Sequence, residues 1–254
     1  MTSTFKLPTA FAAALLVALV CFFINSRAAS MTPTSKFFDA GPQAALEIAI
    51  RADDVADIQG AIAHGASVNA LGKFNITPLM VAVDAQSPRA VRALIQAGAL
   101  PNAMAKDRNG PVTLAVKSCR ANPNGWEIML AVLAAGGDPN TRQPDGDPVI
   151  MRFILDHDAA GLKLMQSLGA NLDILDRGGD PLITSVAMSQ DWDMVWALME
   201  LGVRVDYEHG KSRRPLSLAL KGPYPARDSP LYPFKRKVWQ ALKDQGLEVP
   251  PMDP

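Results

Sequence analysis

Five prolines divide this chain into near-equal lengths. Pro78, Pro111, Pro148, Pro181 and Pro215 are separated by 33, 37, 33 and 34 residues on subtracting their numbers. Glycines keep the same period, at Gly65, Gly98, Gly136, Gly169, Gly202 and Gly246. The clearest copy of the unit reads Thr77-Pro78-Leu79-Met80-Val81-Ala82-Val83, then Val91-Arg92-Ala93-Leu94-Ile95-Gln96-Ala97-Gly98-Ala99. Proline at a first helical position forfeits no hydrogen bond, and the threonine before it can cap. Ala82 lets a second helix approach, and Val91, Leu94 and Ile95 recur at helical spacing. Gly98 suits the left-handed residue past a helix end. Two helices this short cannot bury their apolar faces alone, so each pair needs copies of itself on either side.

A turn and two helices in a period of about 33 residues resembles the ankyrin repeat. The resemblance runs from roughly Phe37 to Val249. Its best words are Thr77-Pro78-Leu79 with Ala82, and His64-Gly65-Ala66-Ser67-Val68-Asn69-Ala70, which is similar to the family's HGADVNA. It implies an all-α solenoid of about six helix-turn-helix units over residues 43–249, with a linker at 30–42 and a tail at 250–254.

The copies differ in informative ways. The first unit, with an inner helix at Ala45 to Ile50 and an outer one at Val55 to Ala63, lacks the Thr-Pro start, as a terminal repeat can. The third enlarges its helix–helix turn over Ser118 to Gly125 before an outer helix from Trp126 to Leu133. The fourth and fifth open with Asp147-Pro148 and Asp180-Pro181, where aspartate is expected to cap in place of threonine. Ala49, Ala82, Ala115, Ser185 and Ala219 take the small position between paired helices, but the fourth unit has Arg152 there. A buried unpaired arginine is costly. Its head must reach water, or pair with Asp156 or Asp158, or the register must be displaced. The sixth unit opens at Pro215 and ends in a helix carrying Val238, Trp239, Ala241 and Leu242.

Residues 1–29 read as a signal peptide or N-terminal anchor. Lys6 precedes an apolar run from Phe11 to Ile24, and small residues follow at Ser26-Arg27-Ala28. The run suits the core of an export signal and is short of the ~20 residues of a spanning helix. A periplasmic or secreted destination follows if it is cleaved; anchoring in the inner membrane by residues 11–24 follows if it is kept. Bulky Val20 before Cys21 argues against lipidation. Cleavage would leave Cys119 as the single cysteine, expected to be a small buried side chain without a disulfide.

Chemistry is sparse. Lys+Arg and Asp+Glu number 25 each, so net charge makes no case for nucleic acid. His64, His157 and His209 are the histidines, none at metal-ligand spacing with another. No nucleophile elbow, phosphate loop or zinc-protease motif occurs, so no enzyme, cofactor or metal is expected. Trp126, Trp192 and Trp196 are phased with the repeat, which makes them outer-helix core or, where exposed, an anchor.

The resemblance implies a concave binding face built of inner helices and the finger loops that join units. Residues flanking the prolines would supply it: Lys73, Phe74 and Asp84; Lys106, Asp107 and Lys117; Arg142 and Asp145; Arg177 and Asp180; Tyr207, Lys211 and Arg213. The partner expected is another protein, a toxin or an envelope protein, met by a monomer. Three roles follow: a generic exported interaction module, an immunity protein neutralising a toxin in the periplasm, or an accessory protein protecting an envelope enzyme. An enzyme around Asp156-His157-Asp158 or His209, and a membrane-tethered organiser, are the contrasting classes.

Overall fold

The computed structural model describes residues 35–206, 216–222 and 224–252. The signal or anchor segment, Cys21, Tyr207, His209, Lys211 and Arg213 lie outside them. The described residues form twelve α-helices in six pairs. These are α1 (Pro42–Arg51) with α2 (Val55–Ala63), α3 (Pro78–Asp84) with α4 (Pro88–Gln96), and α5 (Pro111–Ser118) with α6 (Gly125–Ala134). Then come α7 (Met151–Leu155) with α8 (Ala159–Ser167), α9 (Leu182–Met188) with α10 (Trp192–Glu200), and α11 (Leu216–Leu220) with α12 (Tyr232–Asp244). Among the described residues no strand forms beyond two isolated bridges, Arg142 to Pro148 and Leu175 to Pro181.

The pairs stack in chain order. Inner helix α1 lies on α3 and α3 on α5, while outer helix α2 lies on α4 and α4 on α6. In the second half α8 packs on α10, α9 on α11 and α10 on α12. One apolar cluster runs from Phe38 to Leu242 along this axis. Burial of that continuous surface is what the short helices lack individually.

Local chemistry places the elements. Thr77 Oγ1 accepts from the Met80 N–H at 3.3 Å, and Pro78 is the first helical residue. Gly98, Gly136 and Gly169 end their units at φ of 88°, 91° and 93°, which only glycine adopts freely. Each of these turns is then clamped by an asparagine of the preceding unit. Asn69 donates to the Gly98 carbonyl at 2.9 Å and accepts from Leu100 N–H at 2.8 Å. Asn102 does the same to Gly136 and Asp138, and Asn140 to Gly169 and Asn171.

Three expectations are corrected. First, Asp147 and Asp180 do not cap. Helix α7 starts at Met151 with no side-chain cap, and α9 starts at Leu182 after Pro181 in an extended conformation. Pro148 and Pro181 are held in the bridges, so the helix begins beyond each proline rather than at it. Second, this late start displaces the register. The turn residues Asp53, Gln86, His157 and Gln190 all take left-handed backbone, with φ of 53°, 54°, 51° and 67°. Four residues before each stand Ala49, Ala82, Phe153 and Val186, so Arg152 and Ser185 are each one place out. Arg152 is exposed, with Nε 2.9 Å from Asp156 Oδ2. Phe153 is buried instead, and the small residue has moved to the partner helix as Gly161. Third, residues 35–38 are not linker. They are bound to the buried Glu47 carboxylate of α1, which accepts from Ser35 Oγ at 2.6 Å and from the Phe37 N–H at 2.8 Å.

At the other end Lys235 closes the stack. Its fully buried ammonium donates to the Gly222 carbonyl at 2.8 Å and sits 4.0 Å from the Tyr224 ring centroid. Trp239 Nε1 donates to Pro250 O at 2.7 Å, tying the tail to α12.

Candidate functional site

Two grooves open where inner helices and finger loops meet. The first, of about 200 Å³, lies across the first three units and is lined by Lys36, Phe37, Met80, Asp84, Asp107 and Leu114, among others. It brings together Asp84 and Asp107, which are more than twenty residues apart in the chain. Asp107 is set by its own loop: Asn109 donates to it from backbone N and from Nδ2, at 3.0 and 2.8 Å. Those bonds hold its carboxyl below the usual carboxylate range.

Beside this groove the finger loop ends in Phe74. Its side chain is 65% exposed, on backbone at φ 61°, followed by Asn75 at φ 60°. Left-handed backbone is unfavourable for a bulky residue, so the loop must hold it there. Lys73 N–H donates to Phe37 O at 2.8 Å, and Lys106 N–H donates to Phe74 O at 2.9 Å. The finger is therefore tied to a neighbour on each side. Lys73 Nζ stands 3.8 Å from Asp39 and Lys106 is exposed.

The second groove, of about 410 Å³, lies between the fourth and fifth units. Asp145, Asp147, Asp176 and Asp191 line it with Arg177, over Met151 and Leu155. Arg177 Nε is 3.7 Å from Asp147 Oδ2. For Asp176, burial would raise the pKa, but bonds from Ser185 and the backbone N–H groups of Asp180, Gly178 and Gly179 outweigh it and lower it.

Of the residues expected to reach a partner, Lys73, Phe74, Asp84, Lys106, Asp107, Lys117, Asp145 and Arg177 are exposed, and Asp180 is half-buried. Arg142 is spent internally: it is half-buried and donates to Gly146 O at 2.7 Å and Leu175 O at 3.0 Å. It joins two fingers instead of projecting. Tyr207 and Lys211 fall outside the described residues. The residues that sequence reasoning missed are Lys36, Leu155, Asp147 and Asp176. A signal for the acidic ones was present: residues 119–206 hold thirteen Asp and Glu against six Lys and Arg.

The remaining chemical groups are structural. Cys119 is buried, and burial raises its thiol pKa. Trp192 is fully buried, while Trp126 and Trp196 are half-buried against the core. His157 lies exposed in the turn between α7 and α8, with Nδ1 2.7 Å from Asp193 Oδ2, joining the fourth unit to the fifth. Among the described residues no cluster of three or more His, Cys, Asp or Glu has metal-binding geometry. None of the described helices is long and apolar enough to cross a membrane.

Comparison with known proteins agrees with this architecture. Residues 74–106 match the family model described as ankyrin repeat. A crystal structure of an ankyrin repeat domain from Acinetobacter baumannii AYE superimposes with a TM-score of 0.59 at 17% identity, covering 80% of this chain and 98% of that one. The E3 ubiquitin-protein ligase KEG of Arabidopsis thaliana is 31% identical over 117 residues. That alignment takes in 46% of this chain, which spans only 7% of the ligase's length. Folds of this kind generally mediate protein–protein association and are typically non-catalytic. Residues 74–106 thus match the ankyrin-repeat model, and the stack of helix pairs around them has the fold of an ankyrin repeat domain.

Proposed function

We propose that this chain is an exported interaction module that grips a protein partner through the face formed by its inner helices and finger loops. The observation that carries the reading is Phe74, a large apolar side chain held out to solvent by strained backbone beside a groove of mixed charge. An aromatic kept exposed at a conformational cost fits an anchor that fills a partner's pocket, with Lys73, Lys106 and Asp107 as its polar rim. Export rests on the apolar run from Phe11 to Ile24 and the small residues after it.

The test is affinity capture with the full chain, followed by titration of the captured protein against wild type and Phe74→Ala. At least a tenfold loss of affinity is expected, and an unchanged affinity overturns the placement of the anchor. Mass spectrometry of the exported protein checks the rest. A mature N-terminus near Ala29 is expected, and an intact Met1 in the membrane fraction would indicate tethering instead.

A further inference from the structure

The two grooves differ in chemistry. The first mixes Lys36 with Asp84 and Asp107. The second is carboxylate-rimmed, with Arg177 as the cation of its lining, and that guanidinium is already beside Asp147. The imbalance extends to the whole neighbourhood. The chain as a whole is neutral, yet residues 119–206 carry thirteen acidic side chains and six basic ones. A groove lined by one sign of charge between low-dielectric walls focuses its field outward.

The floor is apolar and incompletely covered. Helix α7 has only five residues, and its last, Leu155, is 65% exposed, with half-buried Met151 beside it in the same groove. Asp145 accepts one backbone N–H, from Asp147 at 3.1 Å, and is otherwise exposed above this floor. An aliphatic surface under a carboxylate rim is complementary to a side chain with an apolar stem and a cationic head.

We infer that the groove between the fourth and fifth units is the seat of a basic segment of the protein partner, one that sets an arginine or lysine beside an aliphatic residue. The inference rests on the partner-gripping face proposed above and adds the sign of charge that its second half selects. The cationic head lies against Asp145 and Asp147, and the aliphatic part covers Leu155. The long-range component steers association and weakens with salt.

The probe is a pair of capped synthetic peptides, Lys-Leu-Arg-Leu-Lys and its acidic counterpart Glu-Leu-Asp-Leu-Glu, titrated into the isotope-labelled full chain and followed by NMR. The basic peptide is expected to shift the Leu155 methyl and Asp145 amide signals saturably, and the acidic one to leave them in place. Asp145→Asn with Asp147→Asn keeps the side-chain oxygens that accept from backbone N–H groups, removes two charges and should weaken binding about tenfold. Leu155→Ala should weaken it about fivefold, and raising salt should weaken wild type but barely affect the double variant. Equal binding of the acidic peptide, equal binding by both variants, or no saturable shift at millimolar peptide overturns the assignment. Shifts confined to the Phe74 and Asp84 region overturn it while leaving the proposed face standing. Shifts confined to the outer helices overturn both.

Discussion

Glu47 is a carboxylate removed from water and surrounded by donors. Burial alone would raise its pKa, but bonds from Ser35, Phe37, Arg51 and Lys36 outweigh that and bring it down to about 2. Because the folded value lies below the unfolded one of 4.5, its stabilisation is complete above about pH 4.5 and is lost as pH falls toward 2. The shift corresponds to roughly 3 kcal/mol. Glu47→Gln is expected to destabilise the fold by about 2–3 kcal/mol at neutral pH and to flatten the acid limb of a plot of urea midpoint against pH. His157 behaves in the opposite sense. Its bond to Asp193 raises its pKa, with the charges of Asp193 and Asp191 adding and burial opposing. That stabilisation is present below the ordinary histidine pKa of 6.5 and fades as pH rises through the raised value. In Asp193→Asn, NMR titration should show the His157 pKa fallen toward 6.5; no movement would mean that the contact contributes nothing in solution.

At the scale of the element, the pair α7–α8 shows how a repeat tolerates a wrong-sized residue. Where the first and second units place Ala49 and Ala82, the fourth places buried Phe153. The space comes from Gly161 on α8, where a Cβ would stand 2.3 Å from Phe153 Cδ1. Gly161→Ala should therefore cost about 1–3 kcal/mol through overpacking, despite alanine's better helix propensity. Adding Phe153→Leu should recover part of the loss, so the double variant will be more stable than the sum of the single changes predicts. Simple additivity in chemical denaturation would show that the two side chains do not share the space.

For the whole molecule, the interfaces between units are unequal. Helices of the first three pairs pack closely on one another, as do those of the fifth and sixth, but the third and fourth pairs share few helix–helix contacts. The reasons are the short α7 and the enlarged turn before α6. What joins them is the Trp126 ring, 5.9 Å from that of Phe153, together with the Arg120–Asp158 ion pair and the Asn140 clamp. In a linear stack, stability is set by such nearest-neighbour terms. Trp126→Ala is expected to cost about 2–3 kcal/mol and to split urea unfolding into two transitions. Hydrogen exchange should find the amides near residue 150 opening before those of α3. A single transition with uniform protection would show that the junction is not the weak step.

The sequence by itself determined the period, the pairing of helices, the Thr77 cap and the glycine turns. These are properties of a few neighbouring residues: the apolar repeat of a helix, a hydroxyl before a proline, a backbone angle open to glycine. The tertiary structure alone decided the register of the fourth and fifth units, the burial of Glu47, the pairing of His157, and the tying of Arg142 to the Gly146 and Leu175 carbonyls. It also gathered Asp145, Asp176 and Leu155 into one groove. Each of these depends on which side chains meet across a repeat, and residues about thirty positions apart leave no mark of that meeting in local pattern.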